Sequence, residues 1–80
     1  MSIIQSTNLA HTATCYDSEG TRQQAVAAAI LAGGGSTTIG AAVRTAEIAH
    51  YRRIIASCLA NGLPSAAFGP ALRDLGTGGT

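Results

Sequence analysis

Residues 25–43, AVAAAILAGGGSTTIGAAV, carry no charge and no aromatic ring, and fourteen of the nineteen are Ala, Gly, Ser or Thr. A helix faced with such residues lets another backbone come close, and alanine loses no side-chain entropy when it is ordered. What the stretch lacks is bulk. The rest of the chain does little to supply it: 80 residues include 16 Ala and 10 Gly, with one Phe, two Tyr and no Trp. A single small domain of this size buries only about 60% of the surface its unfolded chain exposes. The expectation is a chain that borrows a hydrophobic surface from copies of itself or from another protein.

The chain divides by pattern into an arm, a helical region and a tail. Residues 1–16 show no helical apolar period. His11, Ala13 and Cys15 alternate with Thr12, Thr14 and Tyr16, as in an extended segment with two unlike faces. A lone strand is not stable, so an extended arm lying on another surface is expected there. A first helix is expected from Asp17–Ser18, with Asp17 accepting from a first-turn amide and Glu19 at the positive end of the dipole. Thr21, opening TRQQ, is an alternative start. Val26, Ile30 and Leu31 form its narrow apolar stripe, and Gly33–Gly34–Gly35 ends it.

Ser36 can cap a second segment, for which two readings compete. One is a single helix over 37–60; the other is a loop over 36–44, with Thr45 capping a helix over 46–60. The single long helix is preferred. Ile48, Tyr51, Ile55 and Cys58 recur at helical spacing in its second half, with Ile54 and Leu59 beside them. Asn61–Gly62, followed by Leu63–Pro64, is a strong stop. Pro70 suits the first position of a short helical turn ending near Leu75. The fold class expected is therefore all-α: a helical hairpin over 17–75, an extended arm over 1–16, a short C-terminal turn, and a flexible tail over 76–80.

Few residue patterns point to chemistry. Five Arg, no Lys and four acids leave a formal charge of +1, without the clustered basic face that nucleic acid requires. His50 and Cys58 lie eight residues apart, about 12 Å along a helix, too far to share one metal ion with His11 and Cys15. No metal or other cofactor is expected. Cys15 and Cys58 are the candidate disulfide pair, closing a 44-residue loop worth about 3–4 kcal/mol in the chain-entropy model. As a free thiol, Cys58 would instead pack as a small hydrophobe on the apolar stripe. GGGSTTIG lacks the lysine of a phosphate-cradling loop, and no nucleophile–base–orienter set is recognisable, so no enzymatic activity is expected. The uncharged run over 23–43 is broken by GGGSTT and begins with Gln23–Gln24, which argues against a membrane span. STTIGAAV–RTA–EIAHYRRII can be read as a helix-turn-helix carrying His50, Arg52 and Arg53, but the turn lacks its usual glycine.

TRQQAVAAA (21–29) and EIAHY (47–51) together resemble the small head–tail joining proteins of tailed phages, the lambda W type. Those proteins have a TRQ-led alanine-rich helix and a second helix with an acid–Leu–x–x–Tyr pattern, to which Glu47, Ile48 and Tyr51 correspond. Here GGGSTT replaces the β-hairpin that separates the two elements in that family. The resemblance implies a virion part assembled in the host cytoplasm. The function expected is a non-enzymatic subunit that docks into a larger protein assembly; the alternative is a small dimeric helical regulator or inhibitor, with a DNA-binding helix-turn-helix protein as one form of it. Tyr and Arg dominate interface energetics. The docking face expected is therefore the arm with Ile48, Tyr51, Ile55 and Leu59, rimmed by Arg52 and Arg53.

Overall fold

A computed structural model describes the backbone of residues 3–75 and the side chains of residues 9–75. Three helices account for most of it: α1 (Ile3–Ala32), α2 (Ser36–Ala60) and α3 (Phe68–Asp74). The first two form an antiparallel hairpin, and α3 folds back on α2. No strand occurs among the described residues. The all-α hairpin with its long second helix and short third one is thus observed; the tail expected over 76–80 lies outside the described residues.

The extended arm is not. Residues 3–16 are the first turns of α1, continuous with the segment expected to start at Asp17. Thr14, which suggested an arm, serves the helix instead, its Oγ1 donating to the Ala10 carbonyl at 3.1 Å, and Thr21, the alternative start, donates its Oγ1 proton to the Asp17 carbonyl at 3.1 Å. Asp17 and Thr21 are therefore interior positions and not caps. What gives the N-terminal half a reason to be helical is a polar period: His11, Cys15, Ser18 and Arg22 recur at steps of three and four, and each faces α2 or a residue bonded to it.

α1 ends as expected at the glycine run. Gly33 and Gly34 adopt φ of +77° and +95°, a region that costs other L-residues about 1–2 kcal/mol. The two glycines reverse the chain within three residues. Ser36 does not cap α2; Gly35 occupies that position with no side-chain hydrogen bond. At the other end, Leu63 N–H donates to the Cys58 carbonyl at 2.8 Å and Gly62, at φ +67°, donates to Leu59. This is the Schellman arrangement that makes Asn61–Gly62 a stop. Pro70 is the third residue of α3, still within the first turn, where amides have no helical acceptor.

The Cα atoms span 50 × 27 × 12 Å. A single layer of parallel helices spans about 5 Å of Cα depth and two stacked layers about 13–15 Å, so the molecule is a thin slab. Its apolar core is correspondingly slight: Ala46, Ile54 and Cys58 are the buried apolar residues among those described.

The loop generates a two-sided expectation. A Cβ on Gly34 would stand 3.2 Å from Thr38 Cγ2 in a conformation alanine resists, so Gly34→Ala should destabilise the hairpin by about 1–2 kcal/mol. Gly40→Ala, inside α2 with nothing within 4 Å of the added carbon, should stabilise it by up to about 1 kcal/mol. Urea titrations at one protein concentration read both.

Candidate functional site

Polar residues line the seam between α1 and α2 in three groups. Nearest the hairpin's open end, His11 Nδ1 pairs with Ser57 Oγ at 2.8 Å, and Asn61 Nδ2 donates to the same oxygen at 3.3 Å and to the Ser57 carbonyl at 2.8 Å. His11 Nε2 faces two sulfurs, Cys15 Sγ at 3.4 Å and Cys58 Sγ at 4.0 Å. In the middle, Arg53 Nε donates to Ser18 Oγ at 2.8 Å and Arg53 Nη2 to the Ser18 carbonyl at 3.2 Å. The same hydroxyl lies 2.7 Å from His50 Nδ1. Because Arg53 is donor only, the hydroxyl's own proton is free to point at His50. Towards the loop, Arg22 holds two carboxylates, Glu19 on its own helix and Glu47 across the seam at 2.9 Å.

Ser18 and Ser57 are only 3% and 6% exposed. A buried hydroxyl without a partner costs about 1–3 kcal/mol, and among the described residues no buried side-chain polar atom lacks one. Ser18 is enclosed and used as a joint between helices, not presented to a cleft. Cys15 and Cys58 are free thiols gathered on one histidine, so the structure brings the candidate disulfide pair to a common neighbour without a bond between them. Burial, and secondarily the neighbouring Cys58, push the Cys15 thiol above its ordinary range, which lowers its reactive thiolate fraction. Among the described residues no three His, Cys, Asp or Glu side chains are disposed to hold a metal ion. His50 belongs to the middle group and Cys58 to the end group, as their separation along α2 required.

Two shallow concavities flank the seam. One, of about 350 Å³, is lined by Thr12, Cys15, Tyr16, Glu19, His50 and Ile54. The other, of about 600 Å³, lies among alanines of both helices, from Ala25 to Ala49.

The docking face expected from sequence is placed differently. Arg53 donates to Ser18 through Nε and Nη2. Tyr51 is half-buried, its ring 6.1 Å from that of Phe68 in α3. Ile48 and Ile55 are also half-buried, which leaves Arg52 and Leu59 exposed. The larger apolar exposure is elsewhere: Leu9, Tyr16, Ile30 and Leu31 all lie on α1. Leu9 and Tyr16 fall in the segment that reads from sequence as an arm, whereas Ile30 and Leu31 belong to the apolar stripe expected of the first helix. The helix-turn-helix reading fails, since α2 runs unbroken through residues 44–46, with Thr45 bonded to the Ala41 carbonyl and Ala46 buried. No helix among the described residues is long and apolar enough to cross a membrane. Comparison of the chain with protein-family models, with curated proteins and with solved structures gives no match.

The seam carries two expectations. Arg53→Met should cost about 1–3 kcal/mol by stripping Ser18 of its donor, whereas Arg52→Met, at an exposed neighbour, should stay within about 0.5 kcal/mol; denaturant midpoints distinguish them. The Arg22 hydrogen bond holds the Glu19 carboxyl below its usual value. A carboxyl depressed in the folded state contributes stability above its unfolded pKa of about 4.3 and loses it as pH falls through the lower folded value. Melting temperature should therefore drop on acidification below about pH 4.3, and less steeply in Glu19→Gln.

Proposed function

We propose that this chain is a non-enzymatic structural subunit that completes its hydrophobic packing against neighbouring protein in a larger assembly. The observation that carries this reading is the slab itself: 12 Å deep, with three buried apolar residues among those described, while Leu9, Tyr16, Ile30, Leu31 and Leu59 are 58–87% exposed. Small domains need a core, a disulfide, a metal or a partner to persist. Here the two cysteines are free, no metal cluster is present among the described residues, and the interhelical seam is polar. A partner is what remains.

The assembly we assign is a phage particle, in a head–tail or capsid accessory role, with assembly in the host cytoplasm. Support for this finer statement is the likeness of residues 21–29 and 47–51 to the lambda W type of head–tail joining protein. The neighbouring subunit would meet the exposed apolar residues of α1 together with Leu59 and Arg52 at the edge of α2. The DNA-binding form of the regulator alternative needs a turn that α2 does not contain.

Sedimentation equilibrium and thermal melting of the isolated chain from about 1 to 100 µM test the reading. It expects either self-association with a melting temperature that climbs with concentration, or a monomer that melts broadly until a partner is supplied. A monomer at 1 µM that unfolds sharply above about 60 °C would overturn it.

A further inference from the structure

His11 gathers two thiols from different helices at one nitrogen. Its Nε2 lies 3.4 Å from Cys15 Sγ on α1 and 4.0 Å from Cys58 Sγ on α2. A thiol can donate to that nitrogen only if the nitrogen carries no proton of its own. The ring proton then sits on Nδ1, where Ser57 Oγ, 2.8 Å away, accepts it. Asn61 donates to the same oxygen and to the Ser57 carbonyl, so the ring, carried by α1, is fixed from α2.

The two sulfurs differ in access. Cys58 is 2% exposed. Cys15 is half-buried and opens onto the concavity of about 350 Å³ that Tyr16, Glu19 and His50 line with it. A reagent from solvent meets Cys15 first. Cys58 also acts on Cys15 through space, adding to the burial that raises its thiol, so the two are neighbours before any bond joins them. The other titratable groups on this side are engaged elsewhere: Glu19 with Arg22, and His50 and Arg53 with Ser18. Among the described residues His11 is the one base in contact with both sulfurs.

We infer that Cys15 and Cys58 are a redox pair, converted by a small disulfide such as oxidised glutathione into a cross-link between α1 and α2, with His11 Nε2 as the proton acceptor. In the first step Cys15 Sγ attacks one sulfur of the small disulfide; a mixed disulfide forms on Cys15 and one glutathione departs through the concavity. In the second, Cys58 Sγ attacks Cys15 Sγ, the bond between the helices forms, and the other glutathione departs. At each step Nε2 takes the proton of the attacking thiol and passes it to the departing thiolate. Two thiols of the chain are oxidised and one small disulfide is reduced to two thiols. The bond ties the helices at the end remote from the glycine loop. This pair stands apart from the reading that the chain packs on neighbouring protein, since both sulfurs belong to one hairpin.

The test is equilibration of the full chain with mixtures of reduced and oxidised glutathione, quenched with acid and read by mass spectrometry, for wild type, Cys15→Ser, Cys58→Ser and His11→Gln. Wild type should lose two hydrogens within one chain, Cys58→Ser should stop with one glutathione bound, and folded Cys15→Ser should take up none. A disulfide requires Cα atoms within about 6.8 Å, and the effective concentration of the pair reports whether the hairpin meets that requirement. It should be at least about tenfold higher in buffer than in concentrated urea. His11→Gln should slow the second step at least about tenfold at pH 7, and the deficit should vanish near about pH 10, where thiols ionise unaided. If circular dichroism shows that His11→Gln loses helix, the wild-type pH profile decides, because a general base flattens the rise that bare thiolate attack shows. An effective concentration no higher than in urea, a wild type that stops at the mixed disulfide, or a bond formed only between chains would overturn the pair. A second step that is unchanged in His11→Gln, or one that climbs with pH without flattening, would overturn the role of His11.

Discussion

The hydrogen bonds that cross the seam decide how this hairpin is put together. An alanine-faced helix offers nearly the same surface at every turn, so sliding α1 along α2 by one turn would cost little in van der Waals contact. The polar groups remove that freedom. His11 with Ser57, Ser18 with His50 and Arg53, and Arg22 with Glu47 are matched at one register. A shift would leave Ser18 and Ser57 enclosed without partners, at the desolvation cost that attends any buried unpaired polar group. Bulk apolar side chains ordinarily supply both cohesion and register. Here register comes from hydrogen bonds.

A register set by polar groups explains which parts of the architecture were legible in the amino-acid sequence. The glycine run, the Asn61–Gly62 stop and the unbroken second helix follow from local backbone chemistry, and they were readable. The N-terminal half of α1 was not, because periodicity was sought among apolar residues. Its inward positions are His11, Cys15, Ser18 and Arg22, which do repeat at helical spacing but in polar letters. Counting the apolar outward residues from Leu9 would have found the same helix from its other side. The role of Arg53 was hidden for a related reason: nothing local in EIAHYRRII tells Arg52, exposed, from Arg53, bound to Ser18. Only the position of α1 separates them.

Two residues of the EIAHY segment have internal partners. Glu47 bonds Arg22 and Tyr51 packs on Phe68. Their pattern is accounted for by the need to hold α1 and α3 against α2. Apolar surface left over from this internal use is concentrated on α1, on the side where no helix of the same chain lies. The hairpin thus has polar groups along its inner seam and most of its exposed large apolar side chains on its outer side.

The placement of the seam bonds has a mechanical consequence. The glycine loop joins the helices at one end, and among the described residues every cross-seam hydrogen bond falls between residues 11–22 of α1 and 47–58 of α2, away from that loop. The loop is thus a pivot and the bonded end a latch, with a lever of about 35 Å between Gly34 and His11 at the rise of an α-helix. A rotation of about 10° at the pivot carries the far end some 6 Å by that geometry, beyond the reach of any hydrogen bond. The seam bonds stand at graded distances from that pivot, about 18 Å for Arg22, about 24 Å for Ser18 and about 35 Å for His11, so the His11–Ser57 bond is the most sensitive to any splay of the two helices.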